Sequence, residues 1–554
     1  MPGLVNTHCH MAMTLQRSYA DDMALMEWLN DHIWPFEARQ TDDDIRVGAL
    51  LGAAEMLLGG VTSVVDMYWS EAAVFDAVDR AGMRALLCAS YLDTRLEAFE
   101  SDLPALVEKC EGSSRIRAGL APHAAYTCSA ENLRRGMEAC RRYGIPMTTH
   151  IAETLDEVRM IRERYGATPV EYLDSQGVLD GGLIAAHCVH LTDGDRRILR
   201  ERGVHVAHCP TSNMKIASGV APIERLRTEG VNCTVGTDGP SSNNDLDMWE
   251  EMRNASFLQK VTTMDPCAVP AYELLRMATV CGAAAIGHAG ELGVVKEGAL
   301  ADLVLLSTQR PYYHPQHDVV ANVAYCAKAA DVDTVVVDGE VVVDGGRLST
   351  VDLPSLYARA GAAVRRIAPT LPVSVDTFRA EVARRVLETF GPVIVNDISA
   401  GEMDPAIVDV VAEYDVPYIA MHMRGTPATM QGMTSYRDVV EEVVSYFRLR
   451  AEQLRRCGVR RLILDPGFGF AKTLEQNYDL LRGLHNLCSL GYPVLAGVSR
   501  KSMIYKVLDT TPDRALAGTI ALGWECLRQG AAILRVHDVR EAVDTVRIFK
   551  AFRP

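Results

Sequence analysis

The sequence predicts an α/β protein whose first half closes as a (β/α)8 barrel and whose second half is a shorter series of the same kind. Three observations predict it. Short β-branched runs alternate with amphipathic helical stretches along most of the chain. Histidines and carboxylates recur at the C-terminal ends of those runs, where a barrel of this type carries its active site. The alternation is interrupted once, after residue 290, by short strand-like segments of another style.

Taken in order, the first eight strands are expected at LVNTHCH (4–10), SVVDMY (63–68), ALLCASY (85–91), RAGLAPH (117–123), MTTHIAE (147–153), LIAAHCVH (183–190), VHVAHCP (204–210) and NCTVGTD (232–238). Helical stretches such as DIRVGALLGAAEMLLGG and ENLRRGMEACRRYG separate them, and eight such units close a TIM-type barrel over residues 1–290. In 291–350, ADLVLLS and TVVVDGEVVVDGG read as strands, the latter a hairpin turning at Asp338-Gly339. This small β appendage is expected to be an incomplete sandwich whose apolar strands lack partners. A linker helix is expected over 351–370. Six further strands follow in 371–554: PVSVD (372–376), VIVND (393–397), YIAMHM (418–423), RLILDPG (461–467), PVLAGVS (493–499) and AILRVHD (532–538). Six βα units do not close a barrel of eight, so the second is expected to be truncated.

A chain of 554 residues exceeds what one core organises, in agreement with two domains. The formal charge of −16 argues against a nucleic-acid surface, which needs a basic face. The 14 cysteines are scattered singly without CxxC pairs, which suits reduced thiols and a cytoplasmic location. No apolar run approaches a membrane span of about 20 residues, and no basic, apolar leader precedes PGLVNTHCH.

His8 and His10 stand two apart at the end of the first strand, a spacing that puts both imidazoles on one face of a strand. His150 and Asp238 end the fifth and eighth strands. Three imidazoles and a carboxylate suit zinc or ferrous iron with a position left for water, whose pKa the ion brings toward neutrality. No lysine ends the fourth strand to bridge two metals, so one ion is expected. Glu153, three residues beyond His150, is placed to shuttle a proton, and His187 to orient the nucleophile, while Asp238 takes its proton. His190, His205 and His208 read as satisfied core or surface histidines.

PGLVNTHCH, MEWLNDHIWPFE, GGVTSVVDMY, APHAAYTCS, HIAET, AAHCVHL, HCPTSNMK and VGTDGPSSNNDLDMWEEMR together resemble the amidohydrolase superfamily, and within it the methylthioadenosine/S-adenosylhomocysteine deaminases, over residues 1 to about 350. The resemblance implies His8, His10, His150 and Asp238 as ligands and Glu153 and His187 as acid–base partners. It implies His123, Glu37 and Trp28 as nucleoside contacts, with Glu37 accepting from ribose hydroxyls and Trp28 lining the pocket. The implied reaction is hydrolysis at adenine C6 to the inosine analogue and ammonia, in a homo-oligomer. Family members carry several strands before PGLVNTHCH; here that motif follows Met1 directly.

SVDTFRAEVARRVLE, VIVNDISAG, MHMRGTPATMQ, LILDPGFGFAKTLEQN, GVSRKSM and RVHDV resemble dihydropteroate synthase, which joins a pterin pyrophosphate to p-aminobenzoate. A pterin's donor–acceptor edge suits Asp376, Asn396 and Asp465, with Lys501 on the pterin, Ser502 on the aminobenzoate side, and Arg535 and His537 on the pyrophosphate. Two βα units that the family carries before SVDT, with loops that cover the pyrophosphate and help bind magnesium, have no counterpart in 340–371. The expected function is therefore an adenine-nucleoside deaminase joined to a pterin-binding region impaired as a synthase. The alternatives are an active synthase in a bifunctional protein and a non-functional fusion of two truncated domains.

Overall fold

The computed structural model describes residues 1–23, 25–179, 182–368 and 372–552, and the chain divides into two units, Met1–Pro369 and Thr370–Pro554. In the first unit the strands are β1 (Leu4–Cys9), β2 (Val61–Tyr68), β3 (Arg84–Tyr91), β4 (Ile116–Pro122), β5 (Thr148–Ile151), β6 (Ile184–His187), β7 (His205–His208) and β8 (Asn232–Val235), each overlapping an expected segment. They pair in parallel as β1-β2-β3-β4 and β5-β6-β7-β8. Single bridges close the ring: Leu120↔Met147 and Ala124↔His150 between the two halves, and Cys9↔Asp238 between β1 and the residues after β8.

An apolar cluster of Val5, Val65, Met67, Leu86, Cys88, Ala121, Ile184 and Ala207 draws members from six strands and so fills the barrel interior. The larger cluster joins the strands to the surrounding helices. Reciprocal caps begin several of those helices: Thr41 with Asp44, Thr168 with Glu171, and Thr192 with Asp195. Register along β1 is irregular, because Asn6 pairs with Val64 but Cys9 with Asp66, three residues against two. This bulge interrupts simple alternation at Thr7–His8, so the two imidazoles do not share a face merely by strand periodicity.

Strands β9 (Leu303–Leu306), β10 (Val332–Val337), β11 (Glu340–Asp344) and β12 (Arg347–Leu348) form an antiparallel sheet ordered β12-β11-β10-β9. Asp338 and Gly339 make the hairpin turn with φ of 52° and 86°, as a two-residue turn of this hand requires. The expectation of partnerless strands needs correction. The strands pair with one another, and Pro2 bridges Leu303 while Met1 and Val304 exchange hydrogen bonds of 2.9 and 3.0 Å. Buried Arg84, at the start of β3, grips Asp302 with two nitrogens at 2.9 and 3.0 Å and reaches Asp338 at 3.1 Å, tying this sheet to the barrel. Helix Leu353–Ile367 buries Leu356, Ala360, Ala363 and Ile367 and is paired with helix Asp42–Leu58 through Arg366 and Asp44, so it belongs to the first unit.

The second unit holds β13 (Ser374–Asp376), β14 (Ile394–Asp397), β15 (Tyr418–Met421) and β16 (Leu462–Asp465) in one parallel sheet. Two-residue strands β17 (Leu495–Ala496) and β18 (Ile533–Leu534) form another, joined by a bridge from Leu464 to Val494. Among the described residues β13 and β18 share no pairing. No described helix is long and apolar enough to cross a membrane.

Candidate active site

His8, His10, His150 and Asp238 are all buried, and one ligand atom from each lies within 4.8 Å of the other three. They arrive from the end of β1, from β5 and from the residue turn after β8. Backbone carbonyls orient the rings: His10 Nδ1–H donates to Met67 O at 2.5 Å and His150 Nδ1–H to His123 O at 2.7 Å, which turns each Nε2 toward the shared point. Asp238 is oriented in the same way. Its Oδ2 accepts from Ser212 Oγ at 2.6 Å and Ser242 Oγ at 2.8 Å, while Oδ1 stands 3.1 Å from His10 Nε2 and 3.4 Å from His8 Nε2.

The donor set fits a divalent cation. Neither buried ring nitrogen of His8 makes a well-formed hydrogen bond, Nε2 having only the Asp238 carboxylate at 3.4 Å, a costly arrangement unless something else is ligated. Burial pushes His8 down to about 4 and His150 well below its ordinary value, so both are neutral imidazoles. Burial opposes a charged His10 too, yet hydrogen bonding to Asp238 holds it up at about 9. Asp238 itself stays well below the carboxylate range against burial, through its hydrogen bonds to His10 and His8. The carboxylate calls for a positive charge at this point. Among the described residues no second group of three or more such donors converges.

A cavity opens over His10, His150 and Asp238. Glu153 is buried in its wall, held by the turn that Glu157 fixes in accepting from Ala152 N at 3.0 Å and Glu153 N at 2.8 Å. Burial raises the Glu153 carboxyl above its ordinary value, with His187 opposing. His187 Nδ1–H donates to Asn213 Oδ1 at 2.9 Å, so Nε2 faces Glu153 Oε1, 3.9 Å away. Burial opposes the charged form of His187, but Glu153 and Asp238 raise it. Asp238 and His187 both take positive φ, 60° and 70°, a strained geometry that clusters at functional sites. His123, Trp28 and Glu37 line the same cavity. Glu37 Oε2 accepts from Trp69 Nε1–H at 2.9 Å, and Oε1 is buried without a partner.

Sequence reasoning missed Ser212, Asn213, Ser242 and Trp69. The first three sit in the motifs HCPTSNMK and VGTDGPSSNN, and only their side-chain bonds to Asp238 and His187 distinguish them from loop hydroxyls and amides. It also misjudged one histidine. His190 Nε2 meets Ser218 O at 2.8 Å and His205 Nδ1 meets Asn232 at 2.8 Å, but His208, expected to be satisfied, is fully buried with neither ring nitrogen paired. Its ring is kept uncharged by burial, down to about 3, which lessens the penalty for lacking a partner.

In the second unit, Asp376 ends β13, Asn396 lies opposite it in β14, and the two share a hydrogen bond of 2.5 Å. Asp465, ending β16, pairs with Arg535 at 3.0 Å. Lys501 donates to Phe468 O, and burial lowers it to about 8. Ser502 begins helix Ser502–Tyr505, and His537 Nδ1 lies 2.9 Å from Ser499 Oγ.

Comparisons with known proteins also find two parts in the chain, the second of which begins inside the first compact unit. A model of the pterin binding enzymes matches residues 321–537 and overlaps, at 321–342, one for the amidohydrolase family that matches residues 1–342. A 5-methylthioadenosine/S-adenosylhomocysteine deaminase of Pelotomaculum thermopropionicum is 47% identical over 364 residues, 65% of this chain and 84% of that protein. A 5'-deoxyadenosine deaminase of Methanothermobacter thermautotrophicus is 44% identical over 373 residues, 66% and 87% of the respective chains. The crystal structure of an adenosine deaminase from Xanthomonas campestris with bound zinc aligns with a TM-score of 0.65 at 36% identity, covering 67% of this chain and 86% of that one. With its closed barrel and converging ligand set, this chain belongs to the amidohydrolase family, and it carries a pterin-binding region behind that domain.

Proposed function

We propose that the first unit hydrolytically deaminates an adenine nucleoside at C6, yielding the inosine analogue and ammonia, with S-adenosylhomocysteine, 5'-methylthioadenosine and adenosine as the candidate substrates. The observation that carries this reading is the placement of Glu153 and His187 beside a four-donor metal site at the floor of one cavity. The activities named for the relatives support it. His8, His10, His150 and Asp238 would hold zinc or ferrous iron, and the zinc-bound neighbour favours zinc; the ion would supply the Lewis acidity that makes water a nucleophile near neutral pH. Asp238 Oδ1 takes a proton from the attacking water. Glu153, kept protonated more readily by burial, gives its proton to the purine ring nitrogen and recovers one from the hydroxyl left on C6, while Asp238 returns the proton it took to the departing amino group. His187, its tautomer set by Asn213, holds the nucleophile in line through Nε2. Trp28 and His123 contact the base, and Glu37 Oε1 accepts from the ribose hydroxyls. The test is ammonia release from the three nucleosides by the zinc-loaded chain beside Asp238→Asn. Turnover abolished in the variant supports the assignment; a soluble, zinc-loaded chain inert on all three overturns it.

For the second unit we propose a truncated, pterin-binding TIM-type barrel impaired as a synthase. Asp376, Asn396, Asp465 and Lys501 would read the pterin, Ser502 the aminobenzoate, and Arg535 and His537 the pyrophosphate. That β13 and β18 share no pairing among the described residues favours this reading over an active synthase. Normal coupling of pterin pyrophosphate to p-aminobenzoate by the purified chain would refute it.

A further inference from the structure

Trp69 immediately follows β2, and its indole is buried in the cavity wall. The Nε1–H is directed at Glu37 Oε2, 2.9 Å away, while Arg95 lies over the indole face with Cζ 4.3 Å from the ring centroid. The neighbouring Tyr68 hydroxyl donates to Gln40 Oε1 at 2.9 Å and also lies close to the Glu37 carboxyl, so the indole N–H is the carboxylate's one well-formed hydrogen bond. The terminal torsion of a glutamate is broad, so a carboxylate with no anchor would rotate away from any single presentation. An indole N–H is a donor only and has no alternative role at this position. A cation above the ring is attracted by its negative face and keeps the indole from tilting. The anchored carboxylate has one buried oxygen left, Oε1, in the wall of the cavity.

We infer that Trp69, steadied by Arg95, is a positioning residue that fixes the Glu37 carboxylate so that Oε1 meets a vicinal sugar diol, and that selection of ribonucleosides over deoxy analogues depends on this indole N–H. The inference rests on the proposed role of Glu37. Trp69 touches no reacting atom, so it acts on sugar recognition and leaves the chemical step alone.

The experiment compares adenosine with 2′,3′-dideoxyadenosine as substrates of the zinc-loaded full-length chain, and inosine with 2′,3′-dideoxyinosine as ligands in calorimetry. The variants are Trp69→Phe, which keeps an aromatic ring for Arg95, and Arg95→Met. Trp69→Phe should raise KM for adenosine about tenfold, as expected for a hydrogen bond to a charged group, with kcat within about twofold. Its handling of the dideoxy substrate should not change, so the ribo-to-dideoxy ratio of kcat/KM falls by the same factor. Arg95→Met should shift the ratio the same way by less, and it decides the matter if Trp69→Phe does not fold. Equal losses on both substrates would mark a merely structural contact and overturn the inference. An unchanged ratio in an active protein would overturn it while leaving the deaminase reading intact. A wild-type chain that neither binds nor converts any of these nucleosides would overturn both.

Discussion

Asn213 touches no ligand atom of the metal site, yet its Oδ1 decides which nitrogen of His187 carries a proton. Asn213→Ala should therefore lower kcat by about 10–100-fold, the range for outer partners of a metal site, while bound zinc measured by atomic absorption stays at one per chain. Glu153→Gln keeps the shape and removes the transferable proton; kcat should fall by about 10²–10⁴-fold, again with zinc retained. The structure brings together the ligands and acid–base residues expected from HxH, HIAET, AAHCVH and TDG, because each motif ends a strand and strand ends of a barrel converge. Asn213, Ser212, Ser242 and Trp69 were not legible. A hydroxyl or amide in a loop gains its role from a partner brought in from another strand, and no local pattern records that partner.

At the scale of elements, β1 and β8 meet closely. A Cβ added to Gly236 would stand 2.9 Å from the backbone N and Cβ of His8 and 3.0 Å from its carbonyl. Gly236→Ala should push β1 aside, costing about 1–3 kcal/mol in calorimetry and weakening zinc retention in a chelator competition, because the displaced strand carries His8. Helix Met248–Thr263 carries a different strain. Glu251 is buried, accepting from Thr211 N at 3.2 Å and Asn243 Nδ2 at 2.8 Å, and burial pushes its carboxyl up to about 8. An unfolded chain ionises this group near its ordinary pKa of about 4.3, so between there and pH 8 the native state retains a proton that the unfolded state has released. Stability should fall with rising pH across that window by up to about 1.4 kcal/mol per unit, and flatten above it. Glu251→Gln should lessen the slope in melting curves from pH 5 to 8, the remainder coming from other buried carboxyls such as Glu157. Strand positions were legible from β-branched runs, but the bulge in β1 and the antiparallel pairing of residues 1–3 with β9 were not. Both depend on which backbone lies alongside, which composition does not encode.

At the scale of the whole molecule, two units with separate apolar clusters predict two melting transitions in calorimetry. A chain ending at residue 368 retains the whole first unit that is described, including helix Leu353–Ile367 against Asp42–Leu58, and should release ammonia within about twofold of the full chain. A cut at 350 removes that helix and exposes the surface under Leu356 and Ile367, so it should lower the upper or lower transition that belongs to this unit. The helix itself was legible, but its attachment was not: the sequence alone reads it as a connector because its apolar face has no partner in view.

The bridge between Cys9 and Asp238, with the Asp238 amide donating to the His8 carbonyl at 3.0 Å, joins the first strand of the ring to its last. During synthesis on the ribosome, the chain carries His8 and His10 long before the fourth donor, which emerges only after more than two hundred further residues. Metal affinity therefore arises late and abruptly, when the ring shuts, and until then the nascent histidines make at most a weak chelate. A chain arrested before Asp238 should leave zinc to competing chelators that a chain arrested well beyond it resists.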